Sequence, residues 1–169
     1  MRSTRPGVNI ATKIMFEGIL KSEARAMNEH SDVVSVTYYP LNRNFSVQDP
    51  AVVHRDLDAI TSVYSNRTIY ISEAGYPSSP YLGSSQQKQS QFITEMFSAW
   101  DDHSEQVAFV NFIWLHDIPA SEVIRYTGYY GFSSRGFSEY LGTLGLRTYE
   151  GKDKQAMITL KKEASERGW

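Results

Sequence analysis

The chain has 169 residues, 41% hydrophobic and 21% charged, with a formal net charge of −2 and no cysteine. That balance fits one globular domain, 1–169, and gives no electrostatic footprint for nucleic acid. The missing cysteines exclude disulfides, thiolate metal sites and a cysteine nucleophile.

The N-terminus, Met1-Arg2-Ser3-Thr4-Arg5-Pro6-Gly7, is basic but has no apolar run of signal-peptide length behind it, and no segment reaches membrane-spanning length. The compartment stays open. A first strand is expected over residues 8–16, then a short helix with Leu20, Ala24 and Met27 on one face. The second strand, residues 33–39, ends at Pro40 and a polar loop. Asp49 as N-cap and Pro50 in the first turn then open a helix carrying Val53, Leu57, Ile60 and Tyr64 at helical spacing. A third strand, residues 68–72, delivers Glu73 to a loop bounded by Gly75 and Pro77. Ser84 or Ser85 opens the next helix, whose buried stripe is Phe92, Ile93, Met96, Phe97 and Trp100. The fourth strand, residues 107–115, is almost continuously apolar, as in a strand covered on both faces, and leads to Trp114, His116 and Asp117. A long aromatic and glycine-rich excursion from Pro119 to Gly151 precedes a last amphipathic helix with Met157, Leu160 and Ala164 inward. Four strand–helix units in succession predict an α/β fold of parallel (β/α) units.

Glu73 is the residue with the clearest chemical meaning, because a carboxylate at the end of a parallel strand lies on the rim where such folds bind ligands. The alternative reading is a rim carboxylate that caps the following turn or pairs with a lysine. The run Ile71-Ser72-Glu73-Ala74-Gly75-Tyr76-Pro77-Ser78 resembles the segment around the nucleophile of clan A glycoside hydrolases such as family 17 β-glucanases. Val36-Thr37-Tyr38-Tyr39-Pro40 resembles their sixth barrel strand, and Phe112-Ile113-Trp114 resembles the eighth. The stretch from Gly145 to Ala156 is similar to their "G-L-x-x-x-D-G-x-x-K-x-A" lead into the last helix.

The resemblance implies the C-terminal half of a TIM barrel, strands five to eight, since a full barrel takes about 250 residues. It implies a retaining β-glycosidase fragment acting on a β-linked oligo- or polysaccharide, with Glu73 as nucleophile. Tyr38 or Tyr39 would hydrogen-bond Glu73, only one of the two being able to point inward. Trp114 would be a sugar platform rather than ordinary core, and Tyr76 and Phe45 would form further subsites. A retaining site needs a second carboxyl group roughly 5–5.5 Å away. The acid/base glutamate of the family belongs to the absent fourth unit, and the one Asn-Glu pair, Asn28-Glu29, falls at the wrong end of a helix. Glu17 is the other acid expected near the rim.

No cofactor or metal site is expected. His116-Asp117 has no further ligand at a recognised spacing, Asp101-Asp102-His103 reads as a solvated helix end, and neither a G-x-S-x-G elbow nor a phosphate loop is present. A half-barrel leaves two sheet edges unpaired, so a homo-oligomer or a complementary half-barrel is the expected partner, with no nucleic acid and no membrane. Two further readings stand beside the hydrolase: a non-catalytic carbohydrate-binding or structural module, and an open α/β domain of other role.

Overall fold

The computed structural model describes residues 7–169; the basic stretch Met1–Pro6 lies outside the described residues. Four parallel strands form one sheet in sequence order: β1 (Lys13–Met15), β2 (Val34–Tyr38), β3 (Ile69–Ala74) and β4 (Val107–Phe112). Between them run α1 (Phe16–Ile19), α2 (Ser22–Asn28), α3 (Val52–Val63) and α4 (Gln86–Asp102). After β4 come α5 (Ala120–Tyr130), α6 (Arg135–Gly142) and α7 (Gln155–Glu166). The expected parallel (β/α) succession is the observed one.

One face of the sheet is buried under helices. Val34, Val36 and Tyr38 of β2 and Ile69 and Ile71 of β3 meet Val53, Leu57 and Ile60 of α3 and Phe92, Ile93 and Met96 of α4, all nearly inaccessible. The helical spacing of those side chains is what makes α3 and α4 pack this way, each buried aliphatic contributing about 1.5–3 kcal/mol. Ser85 caps α4 by accepting from the Lys88 amide. Asp49 accepts from the Ala51 amide one turn before α3 begins, so it shapes the entry to the helix from outside it.

Three expectations about the elements are corrected. β1 is only three residues long, pairing with Ser35, Val36 and Thr37 of β2, and the chain turns into α1 at Phe16. In α2 the buried side chains are Ala24 and Asn28, while Met27 is exposed. Asn28 donates to the Ala24 carbonyl and, at 3.5 Å, to the Tyr64 hydroxyl, so its buried amide holds the end of α2, before the chain enters β2. β4 is not covered on both faces: Ala108, Phe109 and Asn111 are exposed, since β4 pairs with β3 alone among the described residues and its second face carries no helix.

The closing segment explains its own sequence pattern. A Cβ on Gly145 would lie 2.1 Å from the Asp117 amide nitrogen, and Gly151 holds φ +87°. Leu146 and Ala156 are core residues. The Lys154 ammonium is buried, 3.0 Å from Asp117 Oδ1, and also donates to the Thr143 carbonyl. Gly145→Ala is therefore expected to destabilise the chain by several kcal/mol, of the order of an overpacked core site or more. Urea unfolding measures it, and Gly151→Ala, with open space around its Cβ, should cost only the smaller price of its backbone conformation.

Asp101 is not simply solvated. Arg167, at the end of α7, donates to both its carboxylate oxygens and holds its carboxyl below the usual range, tying α7 to the end of α4.

Candidate active site

Strict alternation along β3 would send Glu73 to the helix-covered face with Ile69 and Ile71. The register prevents it. Val36 pairs with Ile71 but Thr37 pairs with Glu73, so Ser72 is an extra residue, and the bulge turns Glu73 to the opposite face. That open face also carries Lys13, Tyr39, Tyr70, Ser72, Phe109 and Asn111. Their contacts with one another include Tyr70 against Phe109 and Ser72 hydrogen-bonded to Ser35.

Two donors hold Glu73. The Tyr39 hydroxyl donates to Oε2 at 2.9 Å, and the Lys13 ammonium, from β1, lies 2.5 Å from Oε1. The Glu73 side chain keeps 27% of its surface exposed. Neither partner is a carboxyl group. Tyr140 of α6 packs edge-on against Tyr39, ring centroids 5.5 Å apart, and supports it. Gly75 makes this approach possible, because a Cβ there would meet the Tyr39 ring at 2.7 Å and the Leu144 side chain at 2.9 Å.

Of the two tyrosines, Tyr39 reaches Glu73. Tyr38 is buried on the helix face, where it donates to Asp56 and packs against Phe16 and Phe92. Tyr76 is likewise removed from any ligand. It is 1% exposed, stacks on Phe92 and donates to the Gln48 carbonyl, because the chain after β3 drops onto α4. Gln89 of α4, also buried, secures that course by donating to the Tyr76, Leu144 and Gly145 carbonyls.

Trp114 follows β4, half-buried, after a cis Ile113–Trp114 peptide and with its ring 6.0 Å from that of Tyr126. The Ile113 amide still bonds the Ala74 carbonyl, so Trp114 emerges at the same end of the sheet as Glu73. Phe45 stands on the loop after β2 with φ +67°, a conformation that costs a bulky residue on the order of 1 kcal/mol. It packs on Phe137 and Tyr140, which links it through Tyr140 and Tyr39 to Glu73. Glu17 is exposed in α1. His116 bridges to Arg147, and no metal-holding cluster of acids and histidines occurs among the described residues.

Pairing of Glu73 with a lysine is the alternative the sequence offered, and Lys13 fills it; which lysine, and the part of Tyr140, were not foreseen. Lys13 lies 60 residues from Glu73, and only the strand register places it opposite. Tyr140 belongs to the long excursion, where aromatic content alone does not identify the one that backs Tyr39.

Burial pushes the phenols of Tyr38, Tyr39, Tyr76 and Tyr140 upward, with the charges of Asp56 on Tyr38 and of Glu73 on Tyr39 adding to it. Tyr39 thus remains a donor at any ordinary pH. These groups are raised in the folded chain relative to the unfolded one, so their contribution to stability is complete below about pH 10 and is lost as pH rises beyond it. Unfolding free energy measured in urea should fall between about pH 10 and 12, by up to about 1.4 kcal/mol per pH unit for each phenol. A flat profile over that interval would contradict the burial.

No protein-family model and no curated protein matches the chain. Solved structures do. A family 2 β-galacturonidase from Eisenbergiella tayi aligns with a TM-score of 0.68 and 17% identity, over 98% of this chain and 28% of its own. A xylanase from Cellvibrio japonicus aligns at 0.64 and 13% identity, over 97% and 51%. A family 17 β-1,3-glucanosyltransferase from Rhizomucor miehei aligns at 0.59 and 14% identity, over 90% and 51%. At such identities the likeness concerns the fold. What the chain shares with them is part of a (β/α)8 barrel fold, four parallel strands with their helices. The chain spans about a quarter to a half of the length of these structures.

Proposed function

We propose that the chain carries the nucleophile half of a retaining β-glycosidase site, with Glu73 as the nucleophile. The supporting observation is the β3 bulge, which turns this one carboxylate out of the helix-packed face and onto the end of the sheet, in the grip of Tyr39. In this reading Glu73 Oε1 attacks the anomeric carbon once Lys13 shifts aside, while Tyr39 holds Oε2 and fixes the carboxylate plane. Trp114 and Phe45 offer ring faces to sugar units beside the scissile bond. Protonation of the leaving oxygen and activation of water fall to a carboxyl group from outside these 169 residues. A complementary half-barrel or a second copy of the chain along the edges of β1 and β4, which pair with no further strand among the described residues, would bring such a group. We take residues 1–169 as a single half-barrel unit.

A second reading, glycan binding without turnover, draws on Lys13. Its ammonium neutralises the carboxylate that would otherwise attack. Hydrolysis of β-glucan or β-galactan that disappears in Glu73→Gln supports the enzyme. Binding without turnover, lost in Trp114→Ala and unaffected by Glu73→Gln, supports the binding module. If neither substitution changes anything, both readings are overturned.

A further inference from the structure

The loop after β2 and the start of α6 line an open surface cleft of about 470 Å³, outside the immediate surroundings of Glu73. Its walls are aromatic and cationic: Phe45, Tyr81 and Phe132 offer rings, and Arg43 and Arg135 offer guanidinium groups. Tyr81 and Phe132 are each about half exposed, at 53% and 51%. The cleft is tightly built. Asn42 accepts from the Phe45 amide, and its own amide bonds the Ser46 carbonyl. Gly136 lets α6 close on this loop, since a Cβ there would sit 2.7 Å from the Asn44 carbonyl oxygen.

The two arginines differ in how they are held. Arg135 places its guanidinium carbon over the Tyr81 ring, 4.1 Å from the centroid, and its Nε meets a carboxylate, Glu139 Oε1, at a long 3.4 Å. The other oxygen of Glu139 is occupied by the Ser79 hydroxyl. The terminal nitrogens of Arg135 have no hydrogen-bond partner among the described residues. Arg43 is exposed and makes no ion pair or hydrogen bond among the described residues. A guanidinium stacked on an aromatic ring, with its outer edge unused, is suited to a planar oxyanion. Ring faces beside it suit the CH faces of a pyranose.

We propose that this cleft binds a sugar residue bearing a carboxylate, a uronic acid unit of a glycan whose chain passes on toward Glu73. The path follows Phe45, Tyr140 and Tyr39, whose rings are in contact in that order. The carboxylate meets Arg43 and Arg135, and the ring stacks on Tyr81 or Phe132. This inference rests on the glycan-acting reading of the chain and specifies its substrate class. It does not require that Glu73 react.

Titration calorimetry of the full chain tests it with three probes: tri-galacturonate, its fully methyl-esterified form, and a sulfated galacto-oligosaccharide of equal length. Tri-galacturonate should bind at least about ten-fold more tightly than the uncharged ester, a ratio typical of one charge-assisted contact. Arg43→Ala and Arg135→Ala should each lose about that factor, and Arg135→Lys should not restore it, since an ammonium lacks the fork. Lys162→Ala, on the exposed side of α7, removes the same charge elsewhere and should leave binding unchanged. Equal binding of acid and ester, tighter binding of the sulfated probe, or equal loss in Lys162→Ala would each overturn the proposal. Selective binding in a chain whose Glu73 never reacts would retain this site and remove the hydrolase reading. Reaction at Glu73 without acid selectivity would do the reverse.

Discussion

For the proposed nucleophile role, Glu73→Gln is expected to abolish release of dinitrophenolate from activated β-glycosides, with a loss of roughly 10³-fold or more, as when an attacking group itself is removed. Dinitrophenyl glycosides suit this test because their leaving group departs without a proton, so attack by the proposed nucleophile can be read without a second carboxyl group. The residual effect of the neighbouring groups should then be readable. Tyr39→Phe keeps the ring that packs on Tyr140 but removes the hydroxyl that fixes Oε2, and a slowing of about ten-fold is expected from one hydrogen bond to a charged group. Lys13→Ala frees Oε1 and should leave the rate equal or raise it. Comparing release rates across a panel of β-glucoside, β-galactoside, β-xyloside and β-glucuronide checks all three substitutions. Equal rates for the parent chain and Glu73→Gln would show that the release is not owed to this carboxylate.

Asp117→Ala is expected to destabilise the chain by about 3 kcal/mol, the cost of leaving a buried ammonium without its counter-charge. The Lys154 side chain keeps only 2% of its surface exposed, and its partners are the two oxygens of Asp117 and the Thr143 carbonyl. Burial pushes the Asp117 carboxyl up and the Lys154 ammonium down, and each opposes that shift in the other. Asp117 additionally accepts from the Gly145 amide, at the place where a glycine is obligatory. The pair thus clamps the segment after β4 to the start of α7. Replacing both partners, as Asp117→Leu with Lys154→Met, should recover much of the loss, since neither charge then remains buried alone. Urea unfolding of the three variants checks this. A loss below about 1 kcal/mol for Asp117→Ala would mean that water reaches Lys154.

The helices most readable in the sequence were those whose apolar residues follow one period without interruption. Val53, Leu57, Ile60 and Tyr64 are all buried, as are Phe92, Ile93, Met96 and Phe97. The "G-L-x-x-x-D-G-x-x-K-x-A" pattern was recognisable, and the structure shows why its residue types are needed. Gly145 makes a close approach, Gly151 holds a positive φ, Lys154 is a buried cation and Ala156 is a core position.

What stayed hidden depends on pairing between distant segments. The bulge at Ser72 is a property of the β2–β3 register, and without it the period of two puts Glu73 on the wrong face. Lys13 meets Glu73 only because β1 lies beside β2 in register. Tyr76 lies two residues past the end of β3, where a rim loop was expected, but its ring turns down onto Phe92 and its hydroxyl finds the Gln48 carbonyl. An aromatic near a rim is as apt for core packing as for a sugar, and one-dimensional sequence carries no sign of which. The apolar run through β4 shows the same limit. Its composition describes a strand with two covered faces, while Phe109 is 46% exposed because one face lacks a layer.

The most direct test of Glu73 as a nucleophile is the intact mass of the chain after incubation with dinitrophenyl 2-deoxy-2-fluoro-β-glycosides. The fluorine slows breakdown of a glycosyl ester, so attack by a carboxylate leaves a stable adduct. The account predicts a gain of one fluoro-sugar, carried on the peptide containing Glu73 and absent from Glu73→Gln. An unchanged mass across the four sugars, or an adduct on any other residue, would contradict it.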